Sequence, residues 1–162
     1  MDFLFTPWRY TYMAEAGKDE GKQATCIFCR ALAANDDEKS LIVHRGRECL
    51  VILNRYPYTT GHVMIAPLAH VDELQKLAPS AAHELIELAQ KLEGILRKAY
   101  RPDGLNMGIN LGRAAGAGVA GHVHMHALPR WVGDSNFMTV TGETRVLAET
   151  LEQTLAKLRR EF

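Results

Sequence analysis

The stretch that most limits how this chain can fold is Gly121-His122-Val123-His124-Met125-His126-Ala127-Leu128-Pro129-Arg130-Trp131. Three of the chain's seven histidines stand at alternate positions within it. Successive side chains of a β-strand point to opposite faces. The spacing therefore predicts a strand with His122, His124 and His126 on one face and Val123, Met125 and Ala127 on the other. The apolar face asks for a core beneath it, whereas nothing about folding requires a row of imidazoles. Upstream, Gly112, Gly116, Gly118 and Gly121 form a glycine-rich approach whose backbone amides can come close to a ligand.

Other segments supply partners for such a strand. Residues 41–44, 48–54 and 62–66 read as short strands, and Leu50-Val51-Ile52-Leu53 is apolar and β-branched enough to be buried on both faces. Arg55-Tyr56-Pro57-Tyr58-Thr59-Thr60-Gly61 is a turn by composition, which joins two of these strands into an antiparallel pair. A short helix is expected over 71–77 and a long one over 80–100, where Leu85, Leu88, Ala89, Leu92, Ile95, Leu96 and Ala99 form one apolar stripe. Arg101-Pro102-Asp103-Gly104 stops it. Residues 105–111 alternate, with Leu105, Met107, Ile109 and Leu111 on one face and Asn106, Gly108 and Asn110 on the other. A further amphipathic helix over 143–159 carries Leu147, Leu151, Leu155 and Leu158, and either covers the sheet or serves dimerisation. The expected fold class is α+β: one domain with an antiparallel sheet, packed helices, one long central helix and a C-terminal helix. His83 falls off the long stripe toward solvent, and His44 has no partner that the pattern names.

Composition narrows the possible partners. Nineteen basic residues balance nineteen acidic ones, without the basic excess of a protein that grips a nucleic-acid polymer. An anionic ligand must be held by local groups. No apolar run approaches the roughly 18 residues of a membrane span, and the first ten residues lack the pattern of a signal peptide. Three cysteines do not make a disulfide framework, so a reducing cytoplasm is expected. Cys26 and Cys29 are spaced so that two thiolates can reach one metal ion. A redox pair is the weaker alternative, because no strand–helix thioredoxin pattern surrounds them.

His122-Val123-His124-Met125-His126-Ala127-Leu128 matches the histidine-triad (HIT) signature, His-φ-His-φ-His-φ-φ, at every position. The wider run from Asn110-Leu111-Gly112-Arg113 through Pro129-Arg130-Trp131 to Gly133-Asp134-Ser135-Asn136-Phe137-Met138 resembles one branch of that family. Its members are bacterial proteins described as diadenosine tetraphosphate phosphorylases or hydrolases. The resemblance implies a single HIT domain over 1–162, with an N-terminal arm at 1–25, a HIT core at 26–138 and the C-terminal helix within 139–162. It implies a structural zinc held by Cys26, Cys29, His70 and His122. It also implies a homodimer whose sheets join.

The resemblance further assigns His124 as a nucleophile that attacks the α-phosphate of a nucleotide. His126 would bond the bridging or non-bridging oxygen and help the polyphosphate leave, while His122 orients the strand and ligates the zinc. Asn54 falls where the family touches ribose, and Asn110 where it supports the triad and contacts phosphate or ribose. His62 is expected to pack beneath the triad. In relatives a polar side chain in the loop before the triad meets the scissile phosphate. Here that loop reads Gly116-Ala117-Gly118-Val119, which shifts the task to backbone amides. Arg113 and Arg130 are nearby cations for the distal phosphates.

The chemistry fits these residue types. An imidazole with an ordinary pKa of about 6.5 is mostly neutral and nucleophilic near pH 7. A polyphosphate leaves readily, so general-acid help matters less than for an amine. The expected activity is cleavage of dinucleoside polyphosphates through a nucleotidyl-histidine, with inorganic phosphate favoured over water as the second acceptor. Three alternatives stand beside it: hydrolysis of adenosine 5′-phosphoramidates, a non-catalytic nucleotide-binding module, and a catalytic three-histidine metal site.

Overall fold

A computed structural model of the chain describes residues 26–135 and 147–162. The expected N-terminal arm, the Asn136-Phe137-Met138 end of the resemblance and the first residues of the expected C-terminal helix lie outside them. In chain order the elements are α1 (Ile27–Ala33), β1 (Ile42–Arg45), β2 (Cys49–Leu53), β3 (Val63–Pro67), α2 (Pro79–Tyr100), β4 (Gly104–Ile109), β5 (Met125–Arg130) and α3 (Leu151–Arg159). The strands form one antiparallel sheet in the order β1-β2-β3-β5-β4.

Alternation along the strands builds two apolar layers. Val51, Leu53, Val63, Ile65, Met125 and Ala127 face α2 and meet its stripe of Leu85, Leu88, Leu92 and Leu96. Leu50, Ile52, Met64 and Ala66 face the other way and enclose Phe28 of α1. β2 is therefore buried on both faces, as its unbroken apolar run requires. Leu155 and Leu158 of α3 join the α2 layer, and Arg159 donates to the Ile42 carbonyl at 2.7 and 3.1 Å. α3 thus covers the sheet. Among the described residues it starts at Leu151, where Thr150 and Gln153 cap each other's backbone N–H groups; Leu147 lies before the helix and is exposed.

Three other expectations are corrected. The helix expected over 71–77 is a single 3₁₀ turn, Leu74–Lys76. Leu111 lies beyond β4 and is exposed. Most consequential, the triad strand contains only the last of its three histidines. The β3–β5 register pairs Ile65 with Met125, so its continuation would set Pro67 opposite Val123. Proline has no N–H to donate, and the Pro67 carbonyl is taken by the His122 side chain. The Val123 N–H turns instead to the Val71 carbonyl, 2.7 Å away.

One carboxylate holds a turn of the sheet together. Glu84, on the buried face of α2, accepts the backbone N–H groups of Arg47, Glu48 and Cys49 between β1 and β2. Gly46 is required there, since a Cβ would sit 2.8 Å from a Glu84 carboxylate oxygen. Burial pushes the Glu84 carboxyl up, but the three N–H bonds outweigh it and leave it below its ordinary value of 4.5. A lowered carboxyl pKa contributes stability above the unfolded value, and that contribution is lost as pH falls through the folded one. Glu84→Gln is expected to cost about 2–3 kcal/mol at pH 7 in denaturant unfolding. The difference from the native chain should shrink as pH falls below 4.5; a gap independent of pH would contradict this account.

Candidate active site

His122, His124 and His126 stay together although only His126 lies on β5. The Phe28 ring centroid is 5.0 Å from that of His122 and 5.1 Å from that of His124, and His124 and His126 lie edge to face at 4.9 Å. The site is therefore assembled by α1 packing on the sheet as much as by strand alternation.

Each imidazole has one nitrogen committed to a protein group, which decides the other. A carbonyl only accepts, so His122 carries its proton on Nε2 toward Pro67 O at 2.9 Å, and His124 on Nδ1 toward its neighbour's His122 O at 2.8 Å. His122 is left with a lone pair on Nδ1, and His124 with one on Nε2. The His126 proton is placed through a relay that starts at Tyr58. The Tyr58 backbone N–H donates to His62 Nδ1 at 3.1 Å, so His62 holds its proton on Nε2 and gives it to His126 Nδ1 at 2.9 Å. The His126 proton is then on Nε2. One imidazole thus offers a lone pair and its neighbour offers an N–H.

Burial keeps all three neutral. His124 is 2% exposed, and burial holds its pKa below the ordinary value despite the bond to the His122 carbonyl. Burial lowers His122 too, partly offset by the Pro67 carbonyl. His126 falls to about 4, through burial first and the neighbouring His124 second. At pH 7 His126 therefore donates as a neutral imidazole.

A cleft of about 420 Å³ opens beside His126, bounded by Tyr58, Asn106, Gly108, Asn110, Arg130 and Asp134 among others. Arg130 lies there in a two-pronged ion pair with Asp134, at 2.6 and 2.8 Å, and also donates to Asn106 at 2.6 Å. Arg113 lies on a 3₁₀ turn, Arg113–Ala115, exposed to solvent. Gly112 and Gly116 flank this turn with φ of +77° and +86°, backbone that L side chains disfavour. Gly118 lies in the same loop, between that turn and His122. Asn54 sits at the end of β2, where its side chain accepts the Tyr56 N–H and closes the turn. It does not border the cleft described here. Sequence reasoning placed His62 beneath the triad but missed that it fixes the His126 proton, and it missed Tyr58 altogether. The Gly61-His62 pair ending a proline turn was the available signal.

On the other side of the triad Cys26, Cys29, His70 and His122 converge, with one ligand atom from each within 4.8 Å of all the others. His122 Nδ1 is 3.3 Å from Cys26 Sγ and 3.8 Å from Cys29 Sγ, and His70 Nδ1 is 3.4 Å from Cys29 Sγ. Tetrahedral bonds of about 2.0–2.3 Å put sulfur and nitrogen ligands about 3.6 Å apart, so the set fits a metal ion. Burial, then the neighbouring Cys26, pushes the Cys29 thiol up to about 11. Cys49 lies apart from this set, fully buried, its thiol raised to about 12 by burial and turned to the Ala81 carbonyl.

A family model described as the HIT domain matches residues 35–132. The chain belongs to the HIT family. It is 36% identical to an AP-4-A phosphorylase of Mycobacterium tuberculosis, over 98% of this chain and 83% of that one. It is 30% identical to Protein hit of Bacillus subtilis, over 71% of this chain and 77% of that one. Among solved structures, a Zn-bound histidine triad family protein from Mycobacterium smegmatis superposes with a TM-score of 0.70 at 26% identity. That match covers 86% of this chain and 94% of that one. The HIT relationship agrees with the three alternating histidines gathered at the start of β5.

Proposed function

We infer that this HIT protein is an enzyme that cleaves dinucleoside polyphosphates of the diadenosine tetraphosphate kind through a nucleotidyl-histidine. The observation that carries the reading is the complementary state of two adjacent imidazoles, a lone pair on His124 Nε2 and a proton on His126 Nε2. His124 Nε2 forms a bond to the α-phosphorus as the bond from phosphorus to the bridging oxygen breaks. His126 Nε2–H stabilises or protonates that oxygen as the polyphosphate departs. Inorganic phosphate then attacks the nucleotidyl-His124, giving a nucleoside diphosphate and restoring the imidazole. The similarity to the AP-4-A phosphorylase favours phosphate over water in this step. Asn110, which borders the cleft, and the amides around Gly116 and Gly118 are proposed to meet the phosphates, Asn54 the ribose, and Arg113 and Arg130 the distal part of the chain.

We further propose that Cys26, Cys29, His70 and His122 hold a structural zinc, since two sulfurs and two nitrogens make a closed tetrahedral set suited to that ion. When bound, it ties α1 to the segments carrying His70 and His122. The free thiols of this pair fit a reducing cytoplasm. The outer edge of β4, at the end of the sheet, is proposed to join the same edge of a second copy, and Met107 there is 36% exposed.

Incubation with diadenosine tetraphosphate and phosphate should yield ADP and ATP, and rapid quenching should find AMP linked to position 124. His124→Ala should lower kcat/KM by about 10⁴-fold or more. Turnover of adenosine 5′-phosphoramidate alone, or undiminished activity in His124→Ala, would overturn the reading. Metal analysis should find one zinc per chain. Its removal by chelation, or Cys29→Ser, should lower the melting temperature by about 5 °C or more; an unchanged melting temperature would dismiss a structural role. Light scattering should give a dimer mass that Met107→Lys reduces to that of a monomer.

A further inference from the structure

We propose that Tyr100, the last residue of α2, is a positioning residue for the leaving-group donor: its ring seats Gly61 and, through His62, keeps the proton of His126 on Nε2. The assignment rests on the nucleotidyl-histidine reading above, in which His126 offers that proton to the departing oxygen.

The relay that fixes this proton tolerates little movement. The Tyr58 N–H reaches His62 Nδ1 across 3.1 Å, and His62 Nε2 reaches His126 Nδ1 across 2.9 Å. A displacement of about 0.5 Å stretches the first of these to a length that is no longer a hydrogen bond. His62 is then free to carry its proton on Nδ1, and His126 loses the donor that keeps its own on Nε2. Donor and acceptor of the first bond lie four residues apart, so the shape of residues 58–62 sets its length.

Tyr100 is the wall against which that shape is set. Gly61 turns the chain with φ of +79°, and a Cβ there would stand 2.8 Å from Tyr100 Cε2 and 3.1 Å from Pro129 Cγ. Main chain therefore lies directly on the ring edge, as close as only glycine allows. The Thr59 hydroxyl donates to the Pro129 carbonyl at 3.1 Å, and the Ala148 N–H to the Thr60 hydroxyl at 3.1 Å. These bonds hold the middle of the turn to β5 and to the segment before α3; its end, next to His62, rests on Tyr100.

The ring is itself held in place. Its hydroxyl donates to Glu149 Oε2 at 3.3 Å, the Lys157 ammonium lies 4.6 Å from the ring centroid, and Lys157 and Glu149 form an ion pair. Tyr100 is not among the described residues bordering the cleft, so its influence on the reaction passes through Gly61 and His62.

The test uses the full chain and reads the proton directly. In nitrogen NMR of protein with labelled histidine rings, native His126 should show a protonated Nε2 and a bare Nδ1. Tyr100→Phe keeps the ring and should leave this signature unchanged, whereas Tyr100→Leu should give a mixture of tautomers. Two aryl esters of AMP read the chemical consequence. 4-Nitrophenolate leaves without help, but phenolate, as basic as a tyrosine side chain at about 10, needs the donor. Tyr100→Leu is expected to lower kcat/KM about tenfold for the phenyl ester and less than twofold for the nitrophenyl ester. Tyr100→Phe should lower neither by as much as about twofold. An unchanged tautomer in Tyr100→Leu, equal losses on the two esters, or no loss on either would each overturn the assignment. Should Tyr100→Leu not fold, Tyr100→Met repeats the comparison, since its flexible chain fills the space without a rigid edge; failure of both to fold makes Tyr100 structural and overturns the assignment too. Where diadenosine tetraphosphate is cleaved but the esters are not, the tautomer alone decides. If the native protein cleaves none of the three, the underlying reading is wrong and this assignment goes with it.

Discussion

The site depends on where four imidazole protons are held. Three backbone groups, the Pro67 and His122 carbonyls and the Tyr58 N–H, determine the tautomers of His122, His124, His62 and, through His62, His126. Side-chain rings with ordinary pKa values near neutrality would otherwise exchange protons and swap roles. Tying them to main-chain groups, which have no freedom to change between donor and acceptor, makes one nitrogen a nucleophile and its neighbour a donor before any substrate arrives.

The same bonds link the site to the fold. His122 faces the metal-ligand cluster through Nδ1 and the sheet through Nε2, so whatever stabilises Cys26 and Cys29 also holds the segment that begins the triad. α1 carries both thiols and Phe28, whose ring touches two of the three histidines. From the other face α2 fixes the sheet by its leucine stripe and, through Glu84, fixes the β1–β2 turn. The chemistry thus occupies the smaller layer of a two-sided sheet, while most of the apolar burial lies on the opposite side.

Much of this was legible in the residue pattern. The long helix, the doubly buried strand around Leu50–Leu53 and the apolar partners of the triad follow from periodicity, because each residue's burial is set by its own element. Glu84 shows where that logic stops: a carboxylate within an apolar stripe is intelligible only when the N–H groups that it satisfies come from a turn far away in sequence. The triad shows another limit. Alternation predicted a strand through all three histidines, but Pro67 on the neighbouring strand ends the ladder, and no inspection of residues 122–126 alone contains that fact.

By itself the sequence determined which groups exist and how they recur: imidazoles at every second position, a pair of thiols, glycines before them, and apolar faces that must pack. It also determined the family, since the triad and its flanks match as a unit. Only the tertiary structure decided which nitrogen carries a proton, that Asp134 pairs with Arg130, and that Tyr58 lies against His62 and His126. Those outcomes depend on pairings between strands and turns far apart in the chain, and a hydrogen bond is set by the positions of both partners, of which a local pattern gives at most one.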